Sequence, residues 1–175
     1  MPAPESALVV LVPEAEALVK PFRDLHDPSA AVGVPAHVTL IYPFKPPHEI
    51  TEPIIDGLRQ CFADFPAFTV SFEILRRFPG VLYLAPEPVE PLQKLTRVIW
   101  KQHPETPPYG GRHLEIVPHL TLAQIADGPR LDQIAGEFTQ AAHERLPIRL
   151  KVSNVALLEN LTGRWRTRLT LPLGT

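Results

Sequence analysis

Two stretches of the chain set an imidazole, a hydroxyl and two aliphatic side chains in the same order: His37-Val38-Thr39-Leu40 and His119-Leu120-Thr121-Leu122. In an extended strand, successive side chains point to opposite faces. His37 and Thr39 therefore share one face, as do His119 and Thr121, and the aliphatic residues face the other way. Splitting a phosphodiester needs one proton taken from the nucleophile and one delivered to the leaving oxygen. Two imidazoles with an ordinary pKa of about 6.5 can hold both roles near neutrality, one neutral and one protonated. The threonine hydroxyls can donate hydrogen bonds to non-bridging oxygens as charge builds there. Such a pair acts without a metal. Threonine is common in strands, so one copy alone says little. Two copies, each entered through a proline (Pro35-Ala36-His37 and Pro118-His119), predict a site.

The motifs need strands to carry them. Ala36 to Tyr42, stopped by Pro43, and Val117 to Gln124 read as those strands. Leu8 to Val12 is a short apolar run that reads as a buried strand. Phe68, Val70, Phe72 and Ile74 alternate with polar residues as in a half-buried strand. The Phe78-Pro79-Gly80 turn then returns Val81 to Leu84 as a hairpin partner. Two long strands, Ile148 to Leu158 and Arg164 to Leu171, finish the chain. Helical spacing marks four segments. The first carries Ala15, Leu18, Val19, Phe22 and Leu25 and is expected to kink or shorten at Pro21. The second, with Ile54, Ile55, Leu58, Phe62 and Phe65, is expected to start at a Thr51 cap. The third carries Val89, Leu92, Leu95, Val98 and Ile99, and the fourth Leu131, Ile134, Ala135, Phe138 and Ala142. Gln102 to Leu114 is a proline- and glycine-bearing loop, long enough to act as a lid.

Hairpins interrupt the strand–helix alternation, so the expected class is α+β with antiparallel or mixed sheets. The two motifs lie about half the chain apart. This weak internal repeat predicts two pseudo-symmetric lobes with helices outside and a central groove lined by the two H-x-T-L strands. Residues 1–175 fit one bilobal domain.

Composition narrows the function. A formal net charge of −2 argues against a protein that coats nucleic acid, but not against one that grips a single terminal phosphate. The one cysteine, Cys61, permits no internal disulfide or cysteine-based zinc site, and it reads as a buried thiol. The histidines form neither H-x-H nor HExxH, so no metal site is expected. The longest apolar run, Ala7 to Val12, cannot span a bilayer, and no basic residue precedes it as in a secretory signal. A cytoplasmic protein is expected, with no membrane or protein partner; two facing lobes would complete a groove in a monomer.

Other side chains are candidates for contact with a substrate. Tyr42 and Phe44 follow the first motif. Tyr109 and His113 belong to the glycine-bearing loop before the second, Tyr109 as a mobile contact to a base and His113 at the groove edge. His26, His48, His103 and His143 read as solvated. Arg164, Arg166 and Arg168 share one face of the last strand, either solvated or steering phosphate.

These residues resemble the two-histidine phosphoesterases, whose mark is a pair of H-x-[ST] motifs, and within them the bacterial 2′-5′ RNA ligase-like group. VPAHVTLIYPF, RRFPGVLYLAPEP and PPYGGRHLEIVPHLTLA carry the resemblance. It implies hydrolysis of 2′,3′-cyclic phosphates, on a nucleotide or an RNA 3′ end, to 2′-phosphates. The alternatives are 2′-5′ RNA ligation and a non-catalytic nucleotide- or RNA-binding module. It also implies His37 as general acid toward the 3′ leaving oxygen, His119 as the base that activates water, Thr39 and Thr121 as phosphate ligands, and no cofactor.

Overall fold

Among the described residues, eight strands with apolar side chains on the core-facing side pair into two antiparallel sheets. The computed structural model describes residues 2–113 and 115–175; Leu114, at the end of the expected loop, lies outside them. In chain order the elements are β1 (Glu5–Leu11), α1 (Glu16–His26), α2 (Pro28–Ala31), β2 (His37–Ile41), α3 (Glu52–Ala63), β3 (Phe68–Phe78), β4 (Val81–Glu87), α4 (Glu90–Gln102), β5 (Leu120–Gln124), α5 (Gly128–Ala141), β6 (Ile148–Val152), β7 (Asn154–Asn160) and β8 (Trp165–Pro172). The first sheet has the order β2-β1-β7-β8 and the second β5-β4-β3-β6. Both expected motif strands are thus edge strands among the described residues, β2 pairing with β1 and β5 with β4. This is the expected α+β class, with both sheets wholly antiparallel.

The helices cover the sheets in a crossed manner. α1 leaves the first sheet's β1 yet packs against β5 of the second; α4 leaves the second sheet's β4 yet packs against β2 of the first. Thr96 on α4 fixes that crossing, its buried hydroxyl donating to the Leu40 carbonyl at 3.2 Å. Val38 and Leu40 of β2, and Leu120 and Leu122 of β5, all point into one buried cluster shared by both sheets. The opposite face of each motif strand is thereby left for histidine and threonine.

Several elements differ from the sequence reading. The stretch Ile148 to Leu158 is not one strand: it breaks at exposed Ser153, so β6 serves the second sheet and β7 the first. α1 runs through Pro21 without interruption, the proline ring lying on the exposed side. Leu25, expected on its apolar face, is 78% exposed, because Arg23 takes the inward position instead and is buried. Thr51 stands at the N-cap of α3 but makes no side-chain cap bond. Asp127 caps α5, accepting from the Arg130 amide at 3.1 Å. Cys61 is half-buried beside the main cluster, and this burial raises its thiol pKa.

Candidate functional site

Both histidines are held by the same device. His37 Nδ1 lies 2.8 Å from the Pro35 carbonyl, and His119 Nδ1 lies 2.7 Å from the Val117 carbonyl. In each case the partner is two residues upstream. A carbonyl only accepts, so Nδ1 carries the proton and Nε2 presents a lone pair. His37 opens β2, whereas His119 stands one residue before β5, since the strand begins at Leu120 rather than at Val117. Pro118 has no N–H to add to a ladder there, and the Val117 carbonyl is engaged by the imidazole.

The crossed helices fix the segments that lead into these histidines. Glu16 on α1 accepts from the Ala36 amide, and Val12 donates to the Ala36 carbonyl at 2.9 Å. Arg23 on α1 donates to the Val34 carbonyl at 2.9 Å and, through Nε, to Asp27 at 2.9 Å, with side chains only 3% and 2% exposed. On the other side, Gln93 of α4 donates to the Ile116 carbonyl at 2.9 Å. These positioning residues were missed in the sequence. Only the i,i+4 spacing of Arg23 and Asp27 carried a signal for one pair of them.

Desolvation in the groove lowers the His37 pKa to about 4; the Pro35 carbonyl opposes this shift, and Arg23 adds to it. His119 is lowered too, mainly by desolvation, with the Val117 carbonyl opposing and His113 adding. His37 feels the other motif, since β2 and β5 are in contact and His119 adds to the lowering of its pKa. Ligand-free, His37 is therefore neutral at pH 7, and burial favours the neutral form of His119 as well. Thr39 and Thr121 are half-buried on the same faces as their histidines.

Aromatic rings box His119. Phe78 meets it edge-on at 5.2 Å and Tyr83 at 5.4 Å, while Phe78 and Tyr83 stack at 4.5 Å. Phe78, expected in a turn, ends β3 instead. Tyr109 lies over the imidazole at 6.2 Å with the planes 23° apart, and its phenol faces the Thr39 hydroxyl. His113, exposed, packs edge-on to Tyr109 at 5.8 Å. The structure thus gathers Thr39, His113 and His119 around Tyr109, with His37 near enough to feel His119 and Thr121 on the same face of its strand as His119.

Other candidates go elsewhere. Tyr42 packs on Trp165 at 6.0 Å and donates to Glu5 at 2.8 Å, and desolvation together with Glu5 pushes its pKa up to about 12. Arg166 and Arg168 sit on β8, at the sheet edge opposite β2. Arg166 pairs with buried Glu159 at 2.7 Å, and Arg168 donates to the Pro47 and Ile50 carbonyls at 3.0 Å each. Arg168 thereby braces a loop, and Arg166 is held by the neighbouring strand. Arg164 lies beside Gly33, on the same distant strand region. His103, expected in solvent, is 8% exposed, covered by the ring of Phe44 at 5.2 Å. Among the described residues, no group of three or more His, Cys, Asp or Glu side chains is arranged to hold a metal ion, and no helix is long and apolar enough to cross a membrane.

Known structures share this architecture along its whole length. Escherichia coli LigT complexed with 3'-AMP is 15% identical, with 98% of each chain covered and a TM-score of 0.63. A phosphoesterase is 16% identical, covering 98% of this chain and 99% of its own, with a TM-score of 0.61. TT0787 of Thermus thermophilus is 16% identical, with 97% of each chain covered and a TM-score of 0.60. At these identities the likeness shows a common fold. No curated protein sequence matches the chain. The family model described as the 2'-5' RNA ligase superfamily matches residues 11–164, nearly the whole of the chain and both histidine motifs, and the chain belongs to that superfamily.

Proposed function

We propose that the chain hydrolyses 2′,3′-cyclic phosphates, on a nucleotide or an RNA 3′ end, to 2′-phosphates. The observation that carries this reading is the matched pair of imidazoles, each with Nδ1 engaged by a backbone carbonyl and Nε2 left for the substrate. In the proposed step His119 Nε2 takes a proton from water. The water oxygen bonds to phosphorus while the bond from phosphorus to the 3′ oxygen breaks. His37, protonated in the complex, delivers its proton to that leaving oxygen. Thr39 and Thr121 donate to the non-bridging oxygens, where charge accumulates. The 3'-AMP and NADP+ held by E. coli LigT structures support a nucleotide ligand for this groove. Nothing in the proposed step calls for a metal or another cofactor.

Hydrolysis of the four 2′,3′-cyclic mononucleotides in excess EDTA, with a His37→Ala/His119→Ala double variant alongside, tests it. Turnover to 2′-phosphates that the variant lacks is expected. Turnover that survives in the variant, or none on any cyclic phosphate, mononucleotide or RNA-terminal, refutes it. The family name favours a second reading, 2'-5' RNA ligation at the same groove. Joined product from tRNA half-molecules would select it.

A further inference from the structure

The phosphate of any ligand bound between the two motifs must meet Thr39 on one side and His119 on the other. In the free chain that space already has an occupant. The Tyr109 ring lies against His119, 6.2 Å between centroids and 23° between planes, and its hydroxyl faces Thr39. The ring packs closely there: the hollow beside it, lined by Thr39, Leu40, Pro108, Tyr109 and His113 among others, is only about 10 Å³.

The backbone beneath this ring is unusual. Tyr109 has φ 52° and ψ 35°, a left-handed conformation that its Cβ disfavours. Gly110 and Gly111 follow at φ 64° and 76°. For glycine these angles are free of strain; for tyrosine they are not. A non-glycine residue is held in this form by what its side chain gains, and here the gain is contact with His119, His113 and Thr39. Neither glycine is closely packed. A Cβ at Gly110 would meet nothing within 4 Å, and one at Gly111 only the Pro107 ring, at 3.7 Å. The segment is thus loosely packed at both glycines, while the strands beneath are fixed by the shared core.

We propose that Tyr109 is a built-in plug: it occupies the phosphate site of the free chain and must swing out, on the Gly110-Gly111 hinge, before a phosphoanion can bind. This rests on the reading above that the phosphate lies between the two motifs. Ligand affinity is then the affinity of the open groove reduced by the fraction of chains that are open. The plug also keeps the groove dry around the histidines while no substrate is present.

Inorganic phosphate is the right probe, because it has no base that could stack on a tyrosine. Calorimetric titration with phosphate is expected to show at least tenfold tighter binding to Tyr109→Gly than to the unaltered chain, since glycine removes the ring and relaxes the backbone. Tyr109→Phe, which keeps the ring, should stay within a few fold of the unaltered chain. The unaltered chain supplies a second measurement, independent of any variant. Overhauser contacts between the ring protons of Tyr109 and His119 should vanish when phosphate is added. Equal or weaker binding by Tyr109→Gly overturns the plug, as do Tyr109–His119 Overhauser contacts that persist at saturating phosphate. Binding to neither protein removes the phosphate-site reading itself, and the plug with it. Loss of cyclic phosphate turnover with phosphate binding as expected would instead refute only the proposed hydrolysis.

Discussion

Substrate should turn His37 from a neutral imidazole into an acid. In the free chain its pKa lies at about 4, through desolvation first and Arg23 second. At pH 7, on the order of one chain in a thousand then carries the imidazolium. A bound phosphate monoanion changes the balance. At about 4 Å and an effective dielectric of about 20, its attraction for the imidazolium is about 4 kcal/mol. With about 1.4 kcal/mol per pKa unit, that lifts the midpoint by about three units, into the neutral range. The assay is an NMR titration of the His37 ring protons, assigned with His37→Gln, in the free chain and in the chain saturated with a nucleoside 2′-phosphate. Kinetics give an independent reading. The profile of kcat/KM reports the free chain and that of kcat the complex, so the kcat/KM bell should be centred at lower pH than the kcat bell. A His37 midpoint unmoved by ligand, or superimposed bells, would refute the reasoning.

Further expectations concern the elements that hold the groove. Arg23→Met leaves Asp27 buried without its partner and should cost about 3–5 kcal/mol in urea unfolding; the Arg23→Met/Asp27→Leu pair should recover much of this. Thr96→Val removes the hydroxyl that meets the Leu40 carbonyl and should cost about 1 kcal/mol by the same measurement. Asp127→Ala, which uncaps α5, should also cost about 1 kcal/mol and leave turnover unchanged. The folded-state pKa of His37 lies below its unfolded value of 6.5, so the unfolded chain takes up the extra proton. Stability should therefore fall as pH drops from about 6.5 toward about 4, and less steeply in His37→Gln; parallel curves for the two proteins would contradict the shift.

The motif strands were legible because their chemistry and their packing obey the same period of two. Val38, Leu40, Leu120 and Leu122 had to face the core, and this alone set His37, Thr39, His119 and Thr121 on the other side. What holds the histidines was not legible. Arg23, Glu16 and Gln93 act on backbone carbonyls and amides far along the chain, and a carbonyl leaves no mark on residue type. Arg23 also displaced Leu25 from the inward face, because a buried arginine with an aspartate and a carbonyl to satisfy it fits where the periodicity called for an aliphatic side chain. The break at Ser153 escaped notice because the residues on both sides suit strands; only the pairing partners differ. Arg166 and Arg168 alternated as expected, but Glu159, itself inside an apolar strand, claimed them.

The crossed helices decide which part of the molecule can move. If α1 and α4 each covered only the sheet of their own preceding strand, the two sheets could separate about a hinge and widen the groove. Instead α1 spans from β1 to β5 and α4 from β4 to β2, and the buried cluster runs unbroken beneath both motif strands. Opening the sheets would expose Leu40, Leu120 and Leu122, each buried to 1% or less. Each such side chain costs roughly 1.5–3 kcal/mol to return to water, comparable in sum to a small protein's whole stability. The distance between the two histidines is therefore a property of the core, preset before any ligand arrives, as the proposed acid–base step at a fixed phosphorus requires. Entry must fall to a segment outside that core. The stretch from Pro107 to His113 packs over β2 without joining either sheet, is exposed at Gly110 and Gly111, and places Tyr109 across the opening. A rigid floor and a movable cover follow from one cause, the exchange of helices between the two halves of the chain.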